Sequence, residues 1–83
     1  MKVITETSTQ LAKYALADDE TIVSTADNLQ IGDPVKFIVA DLNSTTVTIT
    51  DNVTNVPADW VGNKYTFDGT TWTLNPNWVD PDA

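Results

Sequence analysis

The chain has 83 residues and a formal net charge of −8, with no cysteine and no histidine. The missing residue types exclude disulfides, thiolate chemistry and the usual zinc ligands. The few lysines form no cluster that would attract nucleic acid or an anionic membrane. No apolar run approaches the ~20 residues of a membrane span, and residues 1–6 lack the apolar core of a signal peptide. We expect one small domain, residues 1–83.

The first half of the chain predicts short strands separated by polar turns. Residues 3–7 are rich in β-branched side chains, which favours a strand. Residues 11–17 have a composition that favours helix, but the three acids that follow would lie at the negative end of the helix dipole. We therefore favour a strand there. Residues 21–25 predict a further strand, and residues 32–34 a turn.

Residues 35–42 form the most hydrophobic run of the chain. An extended conformation would place Val35, Phe37 and Val39 on one side. It would place Ile38, Ala40 and Leu42 on the other. A strand that is apolar on both faces is either central in the core or covered by a partner. Residues 45–50 alternate cleanly as a strand, and residues 53–59 read as a loop or edge because they contain a proline.

Residues 63–74 contain two runs of alternating apolar and polar side chains on either side of Asp68-Gly69. This dipeptide favours a tight hairpin, because glycine adopts a positive φ without steric cost. A two-residue loop would pair Tyr65 with Trp72, whereas a four-residue loop would pair Phe67 with Trp72. Both pairings place the same apolar side chains on one face. These side chains are Tyr65, Phe67, Trp72 and Leu74.

Turn signals recur every eight to twelve residues or so, which predicts an all-β fold, a small antiparallel barrel or sandwich of about six or seven strands. Two prolines make residues 75–83 an irregular tail after the Asp-Gly hairpin. The side chains expected in the core are Ile22, Val35, Phe37, Val39, Val47, Ile49, Tyr65, Phe67, Trp72 and Leu74.

The acidic residues show no pattern that indicates chemistry. Asp18-Asp19-Glu20 offers oxygen ligands of the kind that calcium prefers, but no segment has the spacing of a calcium-binding loop. Paired carboxylates for glycoside hydrolysis need a walled cleft, for which so short a chain leaves little room. We therefore predict no metal, no cofactor, no catalytic residue and no enzymatic activity.

The tryptophans suggest one kind of ligand, because aromatic rings stack on sugar faces. Trp60, followed by Tyr65 and Trp72, resembles the pattern of small chitin-binding modules. The other interpretation places Tyr65 and Trp72 in the core, with Trp60 and Trp78 at the ends of the barrel or in a subunit contact. A glycan contact at Trp60 and Trp78 is therefore the alternative to a protein contact.

Several strings of residues together carry a resemblance that spans most of the chain. They are Lys13-Tyr14, Ala17-Asp18-Asp19, Gly32-Asp33-Pro34, Phe37-Ile38, Asp41-Leu42-Asn43-Ser44, Pro57-Ala58-Asp59-Trp60 and residues 67–76. With them the chain resembles small proteins of marine tailed phages that have no characterised activity, notably those infecting cyanobacteria. The resemblance implies a phage origin and the role of a virion accessory protein. It supplies no catalytic or binding residue.

We therefore expect a structural or interaction protein of a phage, located in the virion or in the host cytoplasm. Its partners would be copies of itself or other virion proteins. Ile38, Trp60 and Trp78 are the candidate contact residues, because they add apolar surface that the hairpin core does not need. A cytoplasmic phage protein that modulates a host protein is a further alternative.

Overall fold

The computed structural model describes residues 1–79, and this part of the chain folds into strands and turns without a helix. The strands are β1 (Lys2–Glu6), β2 (Ala12–Leu16), β3 (Ile22–Ser24), β4 (Leu29–Ile31), β5 (Phe37–Val39), β6 (Val47–Thr50), β7 (Tyr65–Phe67) and β8 (Trp72–Leu74). The all-β prediction is confirmed, and residues 12–16 form a strand as expected. Eight short strands replace the six or seven predicted. Of the predicted irregular tail, residues 75–79 contain neither helix nor strand, and residues 80–83 lie outside the described part.

The strands form three antiparallel sheets that are not closed into a barrel. The central sheet has the order β2-β1-β6, and the outer sheet has the order β3-β4-β5. β7 and β8 form a separate two-stranded sheet, the aromatic hairpin. An isolated bridge between Leu11 and Thr66 connects the start of β2 with this hairpin.

β1 is the middle strand of the central sheet, and both of its faces are buried. Val3, Ile4 and Thr5 are consecutive residues, and all three are almost inaccessible to solvent. Because successive side chains of a strand point to opposite faces, Ile4 points to one side of the sheet and Val3 and Thr5 point to the other. β1 therefore contributes to two separate clusters of the core.

The first cluster lies between the central sheet and the outer sheet. It contains Ile4 from β1, three side chains of the outer sheet and Leu42. The three are Leu29, Ile31 and Val39. Half-buried side chains of β2, β3 and β6 pack around these residues, namely Tyr14, Leu16, Ile22, Val47 and Ile49.

The second cluster lies on the opposite side of the central sheet. Val3 and Ala12 meet Val53 and Phe67 there. Val56, Trp60 and Trp72 are half-buried against the cluster. The aromatic hairpin and the loop of residues 53–60 thus cover the face of the central sheet that the outer sheet leaves free.

Three residues predicted for the core are exposed, namely Val35, Phe37 and Leu74. Of the two alternatives for residues 35–42, the central strand is not formed, because β5 has three residues and lies at the edge of the outer sheet. Coverage by a partner stays a prediction. Leu74 is the last residue of the hairpin and lies beyond the reach of the second cluster. The strand with two buried faces is β1, which lies between β2, the next strand along the chain, and β6, which is distant in sequence.

The aromatic hairpin pairs Tyr65 with Leu74 and Phe67 with Trp72, so a four-residue loop from residue 68 to residue 71 connects the strands. The two-residue loop is not formed. Gly69 has a φ of +107° in this loop. The Asp68 carboxylate accepts hydrogen bonds from the backbone N–H groups of Thr71 and Thr70, and these bonds, that of Thr71 first, hold the pKa of this carboxyl below its ordinary value.

Candidate interaction surface

One face of the outer sheet packs on the first core cluster, and the other is exposed to solvent. The strand registers place Val23, Gln30 and Ile38 opposite one another across β3, β4 and β5. Residues paired in this way point to the same side of a sheet. Val23 is 46% exposed and Ile38 is 55% exposed. We call these three residues the outer row.

The outer row carries no charge, and neither does any other residue of β3, β4 or β5. Val35 and Phe37, next to the row in sequence, are also exposed. The Phe37 ring lies against Tyr14, with ring centroids 6.1 Å apart and planes tilted by 35°. Because Phe37 is paired with Ile31, its ring lies on the face opposite the outer row, so exposed apolar side chains are present on both faces of the sheet at β5.

The connection from β4 to β5 depends on Gly32. This residue has a φ of +98°, and a Cβ atom there would lie 2.8 Å from Cγ of Lys36. The backbone N–H of Lys36 donates to the Ile31 carbonyl at 2.7 Å, which closes the turn. Glycine is therefore needed for both conformation and space, and the tight turn sets where β5 begins.

A single ion pair lies beside this connection. The Lys36 ammonium is 3.1 Å from the Glu20 carboxylate, and the Lys2 ammonium donates to the Glu20 backbone carbonyl. The pair with Lys36 is exposed, so its contribution to stability is small. Glu20 thus neutralises the charge of Lys36, the residue directly before β5.

Trp60 occupies a different side of the molecule from Ile38. Its ring is half-buried against the second cluster, and its indole N–H is buried without a hydrogen-bond partner. Ile38 lies beyond the first cluster, so the central sheet separates the two residues. Trp78 is half-buried in the turn after β8, where its backbone N–H donates to the Asn75 carbonyl at 3.0 Å. The three candidate contact residues therefore do not form one patch.

The remaining aromatic residues hold the hairpin together. Phe67 and Trp72 stack with centroids 4.3 Å apart, and Tyr65 meets the edge of Trp72 at 6.3 Å. The indole N–H of Trp72 donates to the Asn55 side chain at 3.2 Å, and that side chain donates in turn to the Thr70 carbonyl. These contacts tie the loop of residues 53–60 to the hairpin, so the rings are part of the fold.

Asp59 fixes the other end of that loop. The Lys64 ammonium and the Tyr65 hydroxyl donate to its two carboxylate oxygens at 2.9 and 2.8 Å. These hydrogen bonds, that of Lys64 first, hold the pKa of the Asp59 carboxyl below its ordinary value. The hydrogen bond to Asp59, with partial desolvation, raises the pKa of the Tyr65 hydroxyl.

Residues 1–79 contain no group of three or more acidic side chains placed to share a metal ion. The same residues include no helix with the length and apolarity needed to cross a bilayer. Sequence reasoning singled out Ile38 but missed Val23 and Gln30, because their place beside Ile38 depends on strand registers that local patterns do not specify. No protein-family model, curated protein or solved structure matches the chain.

The Asp59 contacts predict a pH dependence of stability with two limbs. A carboxyl whose pKa is lowered by folding stabilises above its unfolded pKa of about 4, and that stability is lost as pH falls through the folded pKa. A hydroxyl whose pKa is raised stabilises below its unfolded pKa of about 10, and that stability is lost as pH rises through the folded pKa. Urea unfolding should therefore show that Asp59→Ala destabilises the chain near neutral pH and much less at either extreme.

Tyr65→Phe provides the control for this experiment. It removes the hydroxyl but leaves Lys64 on Asp59, so the alkaline limb should become smaller and the acidic limb should remain. A difference between Asp59→Ala and the parent chain that stays constant from acidic to alkaline pH would contradict the assigned contacts.

Proposed function

We propose that the chain is a non-enzymatic structural or interaction protein, specifically an accessory subunit of a phage virion that decorates the capsid or associates with the tail. The sequence resemblance to small proteins of marine tailed phages supports the phage origin. The observation that carries the interaction role is the outer row, an uncharged face in which Val23 and Ile38 are exposed. Exposed apolar patches of this kind mark contacts between proteins.

The edge of the outer sheet supports the same role. β5 pairs only with β4, so its other side carries backbone groups that no strand of residues 1–79 covers. Proteins commonly protect such edges with charged side chains, but Phe37, Ile38 and Val39 carry none. β5 is short, which limits this edge, but its three apolar residues fit a surface that a partner covers in the assembled state.

We propose two contact surfaces, since a subunit within a multi-copy assembly meets neighbours on more than one side. Ile38 is the centre of the first surface. Trp60 and Trp78 belong to the second, to which they contribute the parts of their rings that remain exposed. The net charge of −8 is compatible with this assembly if the acids remain at the rim of each contact.

A carbohydrate-binding module is the alternative from another class, and the position of Trp60 favours the structural role instead. A sugar-stacking platform presents an open ring face, whereas the Trp60 ring packs against the second cluster with its N–H buried. A cytoplasmic role in which the chain modulates a host protein would use the same outer row.

We also propose that the central and outer sheets form a small sandwich, which the position of the first cluster supports.

Mass spectrometry of purified virions tests the virion role. The chain should be present in particles of the phage that encodes it, in a fixed copy number relative to the major capsid or tail protein. Abundance in infected cells together with absence from purified particles would contradict this role and favour action on a host protein.

Sedimentation equilibrium at micromolar concentration tests the outer row. The parent chain should self-associate, and Ile38→Glu should shift it to monomer because a carboxylate would be buried without a partner in the contact. Ala26→Glu is the matched control, since it adds the same charge at an exposed position in the β3–β4 turn. A parent chain that is strictly monomeric, or equal effects of both substitutions, would contradict self-assembly through this row.

A further inference from the structure

A polar cleft lies on the side of the central sheet opposite the outer row. Its volume is about 110 Å³, and it opens between the central sheet and the loop of the aromatic hairpin. Threonines from β1, β6 and the residue after β1 line one wall, and Gln10 and Asp68 lie on the others. The four threonines are Thr5, Thr7, Thr48 and Thr50. We call this the threonine cleft.

The sheet register explains why threonines gather there. Thr5 is paired with Thr48, and Thr50 is paired with Val3, so Thr48 and Thr50 point to the same face as Thr5 and Val3. Thr7 continues the alternation, and its backbone N–H donates to the Thr46 carbonyl at 2.8 Å. The alternating Thr-x-Thr runs of two neighbouring strands therefore present their hydroxyls side by side.

Part of this hydrogen-bonding capacity is used within the chain and part is free. The Thr5 hydroxyl donates to the Thr48 carbonyl at 3.2 Å, and the hydroxyls of Thr7 and Thr48 are 3.1 Å apart. Within residues 1–79, the Thr50 hydroxyl and the Gln10 carboxamide have no intramolecular hydrogen bond. Asp68 uses one carboxylate oxygen for the hairpin loop, which leaves the other as an acceptor.

Gln10 is held at the cleft in a conformation that its residue type disfavours. Its φ is +60°, in the left-handed region where glycine and asparagine are the usual residues. Its N–H donates to the Glu6 carbonyl at 2.7 Å, and its carbonyl accepts from the Phe67 N–H at 2.9 Å. Glycine would adopt this positive φ with less strain than glutamine. The presence of glutamine therefore points to a role for its carboxamide side chain.

We propose that the threonine cleft binds one uncharged, hydroxyl-rich sugar unit, either free or at the end of a glycan. Hydroxyls, a carboxamide and a carboxylate are the groups that pair with sugar hydroxyls, and the buried Phe67 ring supplies an apolar wall. No cationic side chain lines the cleft, which disfavours an anionic ligand, and a single carboxylate is too few ligands for calcium. The volume fits part of a sugar ring, so affinity should be in the millimolar range.

The site is independent of the proposed assembly surface and of the tryptophans. The central sheet and the first cluster lie between the cleft and the outer row. Neither Trp60 nor Trp78 lines the cleft. The threonine cleft would give a virion subunit a weak contact with sugars, which becomes effective when many copies act together.

Heteronuclear NMR of the ¹⁵N-labelled chain tests the proposal with glucose, galactose and N-acetylglucosamine as probes, each titrated to about 100 mM. At least one sugar should cause saturable shifts in the amide signals of Gln10, Thr48 and Asp68. Methyl glycosides of the same sugars distinguish the sources: equal binding indicates the end of a glycan, and binding of the free sugar alone indicates a free ligand. The absence of saturable shifts with all probes, or shifts confined to Trp60 and Trp78, would overturn the proposal.

Two variants separate binding from folding. Gln10→Gly should raise or maintain the melting temperature while weakening sugar binding by about tenfold, because it relieves the backbone and removes the carboxamide. Thr50→Val should weaken binding with the fold intact, which the dispersion of the same spectra shows. Thr73→Val is the control, since Thr73 is exposed on the other face of the hairpin. Unchanged affinity in both cleft variants would overturn the proposal.

Discussion

The burial of β1 on both faces is the constraint on which the rest of the structure depends. Ile4 faces the outer sheet, and Val3 faces the aromatic hairpin. A chain of this size cannot form one large core, so its apolar area is divided into two thin clusters that share a single strand. Removing either covering layer would expose one face of β1, because each cluster has only that strand and its neighbours on the inner side.

This arrangement also decides which surfaces remain available for function. The outer sheet uses one face for the first cluster, and its other face has no covering layer within residues 1–79. The hairpin covers only part of the second face of the central sheet, and the threonine cleft is the space that remains beside its loop. The apolar row and the polar cleft thus lie on opposite sides of β1. We propose a protein contact for the first surface and a hydroxyl-rich ligand for the second.

Local patterns predicted the features that depend on neighbours in sequence. They gave the strand at residues 12–16, the loop before the hairpin and the face shared by Phe67 and Trp72. They missed the central role of β1, whose five residues look no different from other short β-branched runs. Val39 is buried as expected, but the core role given to Val35 and Phe37 failed, because periodicity shows that a strand is apolar and not how many layers cover it.

The candidate sites were predicted only in part. Ile38 was identified from its apolar character, but the outer row also needs the register of β3 and β4, and the threonine cleft needs the pairing of β1 with β6. The pairing of β1 with β6 joins segments that are distant in sequence, and the register of β3 and β4 depends on the turn between them. The positive φ of Gln10 is held by a local hydrogen bond to Glu6 and a long-range one from Phe67. The burial of the Trp60 N–H depends on tertiary packing, so no composition rule would have found either feature.

Matched substitutions at buried and exposed positions test the double burial of β1 most directly, with the free energy of unfolding in urea as the measurement. Ile4→Val should cost about 0.5–1.5 kcal/mol, whereas Val61→Ala, at an exposed position outside the proposed contact surfaces, should cost less than about 0.5 kcal/mol. Val3→Ala on the opposite face should likewise cost clearly more than Val61→Ala, by roughly 1 kcal/mol or more. If only one of the two substitutions, at Ile4 or at Val3, cost more than the exposed control, only one face of β1 would be covered. This result would contradict the account.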